Sequence, residues 1–366
     1  MKVLVTGSNG FIGKNLIAHL NEMTDIKVIS FDKEDNFSKI EDSINEIDFI
    51  IHLAGINRPV DVKEFYEGNT DLTKKIVDLI KNKNIPILIS SSIQAVKDND
   101  YGKSKKLAED YIKENLTNYY LFRLHNVFGK WCLPNYNSVT ATFCYNIANN
   151  LEIKVSDPNN SLELIYIDDI ISEFINVIKT KKATYYEDGF CYINPRYNIT
   201  LGYMVEKLNE FKESMSSISV PNTGDEFIKK LYSTYISYVK VNELVTSAKM
   251  LTDERGFFSE LVKFSGIGQI SISSTKPHIV RGNHYHHTKL ERFIVIRGKA
   301  KMRFKHIITN DYFEVDADET DLKIVTIPVG YTHNIENTGE TDMMFIMWCN
   351  EVFDSNKPDT YFRKID

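Results

Sequence analysis

Side chains that could bind a metal ion are concentrated in one stretch of the sequence. His284 and His286 alternate along "HYHHTKLE", Glu291 ends that stretch, and His333 comes later in "PVGYTHN". Alternation along a strand sends His284 and His286 to the same face. Three imidazoles and a carboxylate suit Zn, Fe, Mn or Ni, and nitrogen and oxygen ligands alone do not choose among these ions. The spacing predicts one divalent metal site, for which we expect zinc; a histidine-rich surface loop is the alternative.

A serine, a tyrosine and a lysine form a second candidate site, suited to proton transfer at a carbonyl group. Ser92 ends the apolar run "PILISSS", and Tyr101 and Lys105 follow in "YGKSK". Residues four apart on a helix project from one face. An ammonium group beside a phenol lowers the pKa of the phenol, so that Tyr101 could exchange a proton near neutral pH. Ser91 is the alternative to Ser92.

Glycines near the start of the chain predict a dinucleotide site. In "VLVTGSNGFIGKNLIAHL", a buried strand is followed by Gly7, Gly10 and Gly13 and then by a helix. The first glycine permits a tight turn, the second lets the backbone approach a pyrophosphate, and the third packs helix against strand. The helix N-terminus then attracts the anion. The residues expected to contact the cofactor are Gly7, Gly10, Phe11, Ile12, Gly13, Leu53, Ala54 and Gly55, together with Tyr101 and Lys105.

The end of the second predicted strand bears on the choice of cofactor. Asp32 could accept hydrogen bonds from the ribose hydroxyls, which favours NAD, whereas Lys33 could pair with a 2′-phosphate, which favours NADP. Because Asp32 and Lys33 favour different cofactors, the pattern does not decide between NAD and NADP.

The elements that must position these residues change type along the chain. Over residues 1–243, apolar runs alternate with helical patterns, which predicts an α/β domain with a doubly wound parallel sheet. From residue 244 to 366, short alternating strands such as "GQISISS", "KIVTIP" and "DMMFIMWCN" are separated by turns. This pattern predicts an all-β sandwich or small barrel. We place the boundary near residue 243.

Composition bears on which binding partners are expected, nucleic acid and membranes among them. The 366 residues carry a formal net charge of -6, which gives no electrostatic footprint for nucleic acid or anionic lipid. The four cysteines show no C-x-x-C spacing, and neither a signal peptide nor a long apolar run is present. We therefore expect a cytoplasmic protein with reduced thiols that binds neither nucleic acid nor membrane.

Residues 1 to about 243 resemble the extended short-chain dehydrogenase/reductases that act on nucleotide sugars, a family with a Rossmann-type sheet. Ser92, Tyr101 and Lys105 match its catalytic residues, and "HLAG", "RLHNVFG" and "IYIDD" match further motifs. The resemblance implies that Tyr101 protonates a ketone oxygen held by Ser92 while the nicotinamide delivers hydride, and that Lys105 tunes the phenol and holds the cofactor ribose. The interval from Ser92 to Tyr101 is shorter than in most members. Substrate contacts are expected from Asn126, Asn135, Asn137 and Ser138.

Residues from about 244 onward resemble a cupin. Within it, "DERGFFSE" (253–260) and "VRGNHYH" (280–286) are similar to dTDP-4-keto-6-deoxysugar epimerases. That similarity implies that Arg281 contacts nucleotide phosphate and that His284 removes the proton beside the ketone. A histidine nitrogen bound to a metal ion cannot also accept a proton. If His284 is a ligand, the candidate bases are His287, Lys289, Tyr285 and Tyr331.

Over nearly its whole length the chain resembles the CapF family of bifunctional capsular polysaccharide enzymes. The resemblance implies that the cupin domain inverts carbon 3 of UDP-2-acetamido-2,6-dideoxy-4-hexulose, a UDP-activated 4-keto-6-deoxy-N-acetylhexosamine. The first domain then reduces carbon 4 with NADPH to UDP-2-acetamido-2,6-dideoxy-L-talose. Two alternatives stay open: a redox-neutral epimerase or dehydratase that holds its NAD tightly, and a non-catalytic cupin for dimerisation or sugar sensing. Exposed sheet edges in such barrels predict a homodimer.

Overall fold

The computed structural model describes residues 1–216, 219–247, 251–253, 256–258, 263–264, 269–351 and 356–365. The chain divides into two compact units. The first unit comprises Met1–Ser138 and Ser161–Ile199, and the second comprises Val139–Asn160 and Thr200–Asp366. The boundary predicted near residue 243 lies inside the second unit; as a boundary between two activities it stays a prediction.

Helices of the described residues fall in both units. The α-helices are α1 (Phe11–Leu20), α2 (Ser38–Ser43), α3 (Lys63–Phe65), α4 (Leu72–Ile80), α5 (Asp100–Asn115), α6 (Val139–Ala148), α7 (Ile167–Thr180), α8 (Leu201–Met215) and α9 (Glu226–Ile236). Short 3-10 helices span Ile44–Glu46, Ile93–Val96 and Val241–Glu243, and a π-helical segment, Tyr66–Asp71, joins α3 to α4. None of the helices in the described part of the chain is long and apolar enough to cross a bilayer.

Strands of the first unit are short and mostly buried. They are β1 (Lys2–Thr6), β2 (Lys27–Phe31), β3 (Phe49–His52), β4 (Ile87–Ser92), β5 (Tyr119–Leu124), β6 (Asn126–Phe128), β7 (Ser161–Tyr166), β8 (Tyr185–Glu187), β9 (Phe190–Tyr192) and β10 (Tyr197–Thr200).

The main sheet of the first unit has the order β2-β1-β3-β4-β5-β9-β8, and its strands are parallel except for the β8–β9 pair. Continuous apolar runs form these strands because helices cover both faces of such a sheet. The parallel arrangement brings the carboxyl ends of β1, β3 and β4 to one edge, which places Thr6, His52 and Ser92 there. The predicted doubly wound parallel sheet is confirmed.

Strands of the second unit, apart from Ser219–Val220, follow its helices. They are β11 (Ser219–Val220), β12 (Val245–Ser247), β13 (Leu251–Asp253), β14 (Gly256–Phe258), β15 (Lys263–Phe264), β16 (Gln269–Thr275), β17 (Val280–Tyr285), β18 (Glu291–Arg297), β19 (Lys299–His306), β20 (Tyr312–Asp318), β21 (Lys323–Ile327), β22 (Tyr331–Asn337), β23 (Met343–Cys349) and β24 (Tyr361–Phe362).

Two antiparallel five-stranded sheets, β12-β21-β18-β23-β16 and β20-β19-β22-β17-β24, dominate the second unit. Alternating side chains of both sheets share one core, which includes Phe293, Val325, Phe345, Met302 and Phe304. The all-β prediction for residues 244–366 is confirmed for the described residues of that range. Pairings among the described strands do not close the sheets into a barrel, so the expected cupin barrel stays a prediction.

Candidate functional site

The first candidate site is a cleft of about 610 Å³ in the first unit, at the carboxyl edge of the parallel sheet. It brings together most of the predicted cofactor and substrate residues. Those that line it are Gly7, Gly10, Phe11, Ile12, Gly13, Leu53, Gly55, Ser92, Tyr101, Lys105, Asn126, Asn137 and Ser138.

The glycine turn after β1 has a shape that only glycine allows. Gly7 has a φ of 68°, and a Cβ atom there would lie 2.6 Å from the backbone nitrogen of Ala54. A Cβ atom at Gly13 would collide with the carbonyl oxygen of Gly7. No side chain caps α1, whose N-cap residue is Gly10. The first N–H groups of the helix are therefore suited to a pyrophosphate, as predicted from the glycine spacing.

Asp32 supports this turn. Its Oδ2 accepts a hydrogen bond from the backbone N–H of Asn9 at 2.6 Å and from the hydroxyl of Ser8 at 3.3 Å. Neither Asp32 nor Lys33 is among the residues that line the cleft. The preference between NAD and NADP therefore stays a prediction, and so does the ribose contact of Asp32.

The hydroxyl of Ser92 lies beside the phenol of Tyr101 and acts to lower the pKa of that phenol. Burial raises the pKa of Tyr101, and the Ser92 hydroxyl only partly opposes this. The expected lowering of the Tyr101 pKa is therefore wrong, because burial raises the pKa of the phenol more than Ser92 lowers it. A phenol that keeps its proton at neutral pH is suited to donate it.

Lys105 is half-buried at the same cleft, one helical turn after Tyr101 on α5. Its Nζ donates a hydrogen bond to the carbonyl oxygen of Ser90 at 3.4 Å. Burial lowers the pKa of Lys105 to about 8, and Glu109 opposes that shift. Lys105 therefore carries its charge near neutral pH, although its pKa lies closer to neutral pH than that of an exposed lysine.

The neighbouring serine belongs to a different network. Ser91 donates to Oε1 of Glu109 at 2.6 Å, and Glu109 also accepts from the guanidinium of Arg123 at 2.6 and 3.0 Å. Of the two serines proposed from the sequence, Ser92 is the one whose hydroxyl acts on the Tyr101 phenol. Sequence reasoning missed Glu109, although it lies four residues after Lys105 on the same helix.

Two buried polar residues fix the turn after β3. The His52 ring lies between the hydroxyls of Thr6, at 2.7 Å, and Thr73, at 2.9 Å, and burial lowers the pKa of His52 to about 3. Asn69, from the π-helical segment, accepts from the N–H of Ile56 and donates to its carbonyl oxygen. These contacts hold the Leu53–Gly55 turn against the cleft. No sequence pattern indicated a role for Asn69.

Residues 129–138, which we call the substrate loop, are anchored by a buried ion pair. Lys130 Nζ lies 2.7 and 3.0 Å from the two carboxylate oxygens of Asp168, in the first turn of α7. Asn15, on α1, donates to the carbonyl oxygen of Lys130 at 3.2 Å. The loop is thereby tied to the helix that follows the glycine turn.

The predicted substrate residues are placed unevenly in and beside this loop. Asn137 and Ser138 line the cleft, and so does Asn126, whose side chain donates to the carbonyl oxygen of Glu163 at 3.3 Å. Asn135 has a φ of 55° and is not among the lining residues. Sequence reasoning missed Lys130, although it directly follows Gly129 in "GKWCL".

The second candidate site is the predicted metal centre in the second unit. His284, His286, Glu291 and His333 each offer a ligand atom, and these atoms lie within 4.8 Å of one another. His284 and His333 face each other across the β17–β22 pair, and Glu291 begins β18 in the other sheet. Glu291 Oε2 lies 3.3 Å from His286 Nε2 and 3.2 Å from His333 Nε2.

The chemistry of this cluster fits a divalent ion. Nε2 of His286, Nε2 of His333 and Oε2 of Glu291 are buried and have no well-aligned hydrogen-bond partner among the described residues. Burial lowers the pKa of His284 to about 3. Burial would raise the pKa of Glu291, but His286 and His333 hold it well below its usual value. Neutral imidazoles and a charged carboxylate are the forms that bind metal ions.

Asp359 holds the loop between β17 and β18, which carries the ligand His286. Its carbonyl oxygen lies 2.5 Å from His286 Nδ1, and its carboxylate accepts the backbone N–H groups of His287, Thr288 and Lys289. A partner on the second ring nitrogen fixes the orientation of a ligand histidine. Asp359 lies about seventy residues away in sequence, and sequence reasoning missed it.

The other residues predicted for epimerisation have separate partners. Lys289 Nζ donates to the carbonyl oxygen of Pro358 and to the hydroxyl of Thr360. The rings of Tyr285 and His287 pack against Tyr361, with centroid distances of 5.6 and 4.9 Å.

Tyr331 and Arg281 likewise have partners of their own. The Tyr331 ring packs against His306, and burial raises its pKa. Arg281 is exposed and donates to Ser273 and to the carbonyl oxygen of Ser274. Of the "DERGFFSE" motif, residues 254–255 and 259–260 lie outside the described residues. The base for carbon 3 therefore stays a prediction.

Comparison with known families matches two models to this chain. Residues 3–188 match the NAD dependent epimerase/dehydratase family, and residues 251–361 match the polysaccharide biosynthesis C-terminal domain. A curated relative from Pseudomonas aeruginosa, UDP-2-acetamido-2,6-beta-L-arabino-hexul-4-ose reductase, is 41% identical over 99% of this chain and 98% of its own length.

Solved structures agree with these matches. The capsular polysaccharide assembling protein CapF from Staphylococcus aureus is 43% identical, covers 100% of both chains and has a TM-score of 0.67. UDP-glucuronic acid 4-epimerase from Bacillus cereus, solved with NAD, is 17% identical over 58% of this chain and 83% of its own, with a TM-score of 0.52, and shares the fold of the first part. These findings support a nicotinamide cofactor and a nucleotide-sugar reductase or epimerase of polysaccharide biosynthesis. The chain therefore belongs to the NAD dependent epimerase/dehydratase family and, within it, is a CapF-like protein that carries a polysaccharide biosynthesis C-terminal domain.

Proposed function

We propose that this chain is a bifunctional nucleotide-sugar enzyme. Its C-terminal cupin domain epimerises carbon 3 of UDP-2-acetamido-2,6-dideoxy-4-hexulose, and its N-terminal domain then reduces the carbon 4 ketone with NADPH to UDP-2-acetamido-2,6-dideoxy-L-talose. The observation that carries the proposal is the cleft that Ser92, Tyr101 and Lys105 line together with the glycine turn. The name of the Pseudomonas aeruginosa relative supports a UDP-linked hexul-4-ose as the substrate.

The reduction needs a proton donor at the ketone oxygen. When bound at the glycine turn, the nicotinamide cofactor supplies the hydride for carbon 4. Tyr101 gives its proton to the ketone oxygen, and Ser92 holds that oxygen and the phenol in one hydrogen-bonded line. Lys105 stabilises the negative charge left on the Tyr101 oxygen. The high pKa that burial gives to Tyr101 suits this direction, because the phenol stays protonated until the ketone accepts the proton.

Epimerisation needs an acidified proton on carbon 3, beside the same ketone. His284, His286, Glu291 and His333 would hold one divalent ion, for which we expect zinc, and such an ion supplies a Lewis acid. The base is a separate group, because a histidine bound to the ion cannot also accept the proton. Of the candidates, His287 and Lys289 lie on the loop held by Asp359.

Two variants on one helix test the division of activities. Purified protein is mixed with the 4-keto UDP sugar in deuterium oxide, with and without NADPH, while proton NMR follows carbon 3 and absorbance follows NADPH. We expect deuterium to enter at carbon 3 without NADPH, and NADPH oxidation when it is added. Tyr101→Phe should abolish the oxidation and leave the exchange, whereas Tyr111→Phe, on the same helix but bonded to Asp78 at the surface, should leave both. Wild-type protein that never oxidises NADPH would refute the reduction, and loss of exchange in Tyr101→Phe would refute the division.

A structural metal is a second candidate, favoured by the burial of three ligands. His286, Glu291 and His333 expose only 2%, 5% and 1% of their surface. In that case the cupin domain serves dimerisation or sugar sensing, and deuterium does not enter the sugar while the metal remains bound. We also propose that the protein is a homodimer that prefers NADPH. Sedimentation velocity and a comparison of kcat/KM for NADPH and NADH test these two points.

A further inference from the structure

A small polar cavity of about 10 Å³ lies beside Lys105 in the first unit. Its volume is that of about one water molecule, and a water bound in such a place needs two to four polar partners. The polar side chains that line it are His52, Asn69, Thr73, Ser91, Lys105 and Glu109. None of the roles described for the cleft uses this cavity.

Glu109 is the buried acid of this cavity. Its side chain is 1% exposed and is fixed by the hydroxyl of Ser91 and by two bonds from Arg123. Removing a charge from water costs several kcal/mol unless partners compensate it. Because Glu109 lies one turn after Lys105 on α5, its carboxylate is held at the side of the cavity that the ammonium also lines.

We propose that Glu109 is a positioning residue of the reductase site: its carboxylate keeps the Lys105 side chain charged across the cavity and, with Lys105, binds one water molecule there. The inference rests on the proposed reduction, in which the Lys105 ammonium stabilises the phenolate left when Tyr101 gives up its proton. Glu109 touches neither substrate nor cofactor and acts only through Lys105.

Of the titratable groups that face Lys105, Glu109 is the one that favours the charged form of the lysine. From β3, His52 faces Lys105 with a ring that burial keeps neutral, its pKa being about 3. From β5, Arg123 is bound to Glu109 itself. From α5, Tyr101 stays protonated, because burial raises its pKa. Burial lowers the pKa of Lys105 to about 8, and Glu109 is the charge that opposes this.

The direct test measures the titration of Lys105 in full-length protein. Lysine labelled with carbon-13 at Cε reports the charge of each side chain by NMR, and the Lys105→Gln variant assigns the Lys105 signal. We expect Glu109→Gln to move the Lys105 titration to lower pH by about one unit or more, because an anion near the ammonium is lost. Ser91→Ala removes a hydrogen bond and keeps both charges, so it should leave the titration unchanged. A Lys105 titration that is unchanged in Glu109→Gln overturns the inference.

Activity supplies a second readout. In Glu109→Gln, the decline of kcat/KM for NADPH oxidation at high pH should begin about one pH unit lower. Glu109→Gln leaves Arg123 without its anionic partner. The double variant Glu109→Gln, Arg123→Gln removes both charges, and the pH at which its kcat/KM declines should move in the same direction. An activity that is lower at every pH without a shift means that Glu109 is only structural. Wild-type protein without reductase activity refutes the proposed reduction instead, and the NMR titration still decides whether Glu109 controls Lys105.

Discussion

Replacing Lys130 by methionine should destabilise the first unit, because it leaves one half of a buried ion pair behind. Lys130 is 1% exposed and Asp168 is 8% exposed, and their charged atoms lie 2.7 and 3.0 Å apart. Removing one partner of such a pair costs about 3 to 5 kcal/mol. In Lys130→Met the negative charge of Asp168 is still partly stabilised, since this residue lies in the first turn of α7 and 3.4 Å from His19 Nε2. We therefore expect a loss of about 3 kcal/mol in the free energy of unfolding.

The opposite substitution should cost more. Asp168→Asn leaves the ammonium of Lys130 buried without an anion, and we expect a loss of about 4.5 kcal/mol. That loss is capped by deprotonation of the lysine, because moving a pKa from about 10.4 to 7 costs about 4.6 kcal/mol. The double variant Lys130→Met, Asp168→Asn buries no charge and should be more stable than Asp168→Asn alone.

Tryptophan fluorescence during urea unfolding measures these differences. The chain has two tryptophans, and in a Trp348→Phe background Trp131 alone reports, from the substrate loop next to Lys130. Single variants that unfold within about 1 kcal/mol of the parent would refute the reasoning. A double variant whose loss equals the sum of the two single losses would refute it as well, because the charges would then act independently.

Gly7→Ala should weaken NADPH binding and cost about 1 to 3 kcal/mol of stability, since the position has a positive φ and no room for a Cβ atom; calorimetry showing parental affinity would contradict this. Ser92→Ala should lower kcat for the reduction by about 10²-fold, and an equal loss in Ser91→Ala would argue against the assignment. His52 has a folded-state pKa of about 3, below its ordinary value, so the unfolded chain takes the proton first as the pH falls and stability declines by about 1.4 kcal/mol per pH unit between pH 6.5 and 3. His52→Gln should flatten this slope in urea titrations at several pH values. His333→Ala should lower the metal content of purified protein to below one ion per chain, and a full complement measured by plasma mass spectrometry would exclude His333 as a ligand.

Local patterns accounted for much of the fold and for the residues that gather at each site. The Gly7-Gly10-Gly13 turn, the strand that ends in Ser92 and the alternation of His284 with His286 each depend on neighbours within a few residues, and such relations can be read from a sequence. The direction of the pKa shift of Tyr101 could not be predicted. Sequence spacing shows which charged residues are near the phenol, but it does not show how far burial removes the phenol from water.

Contacts between distant parts of the chain account for what the sequence missed. Asp359 meets the His287–Lys289 backbone from about seventy residues away, and no periodicity relates the two segments. Lys130 and Asp168 are separated by 38 residues and pair only because the first turn of α7 lies against the substrate loop. Each of these residues is a single polar side chain in an ordinary sequence context, so its role appears only when its partner is known.

In each unit, an acid fixes residues to which the proposed function gives a chemical role. Glu109 lies behind Lys105, and the Asp359 carboxylate gathers three N–H groups of the loop that carries His286. A buried or partly buried carboxylate is costly unless every oxygen is satisfied, so its partners are held in one arrangement. That rigidity is what a ligand histidine or a catalytic ammonium requires, since small displacements at a reacting centre cost large factors in rate. Substituting the supporting acid should therefore change a titration or a metal affinity before it changes substrate binding, and this order of effects separates a positioning role from direct contact.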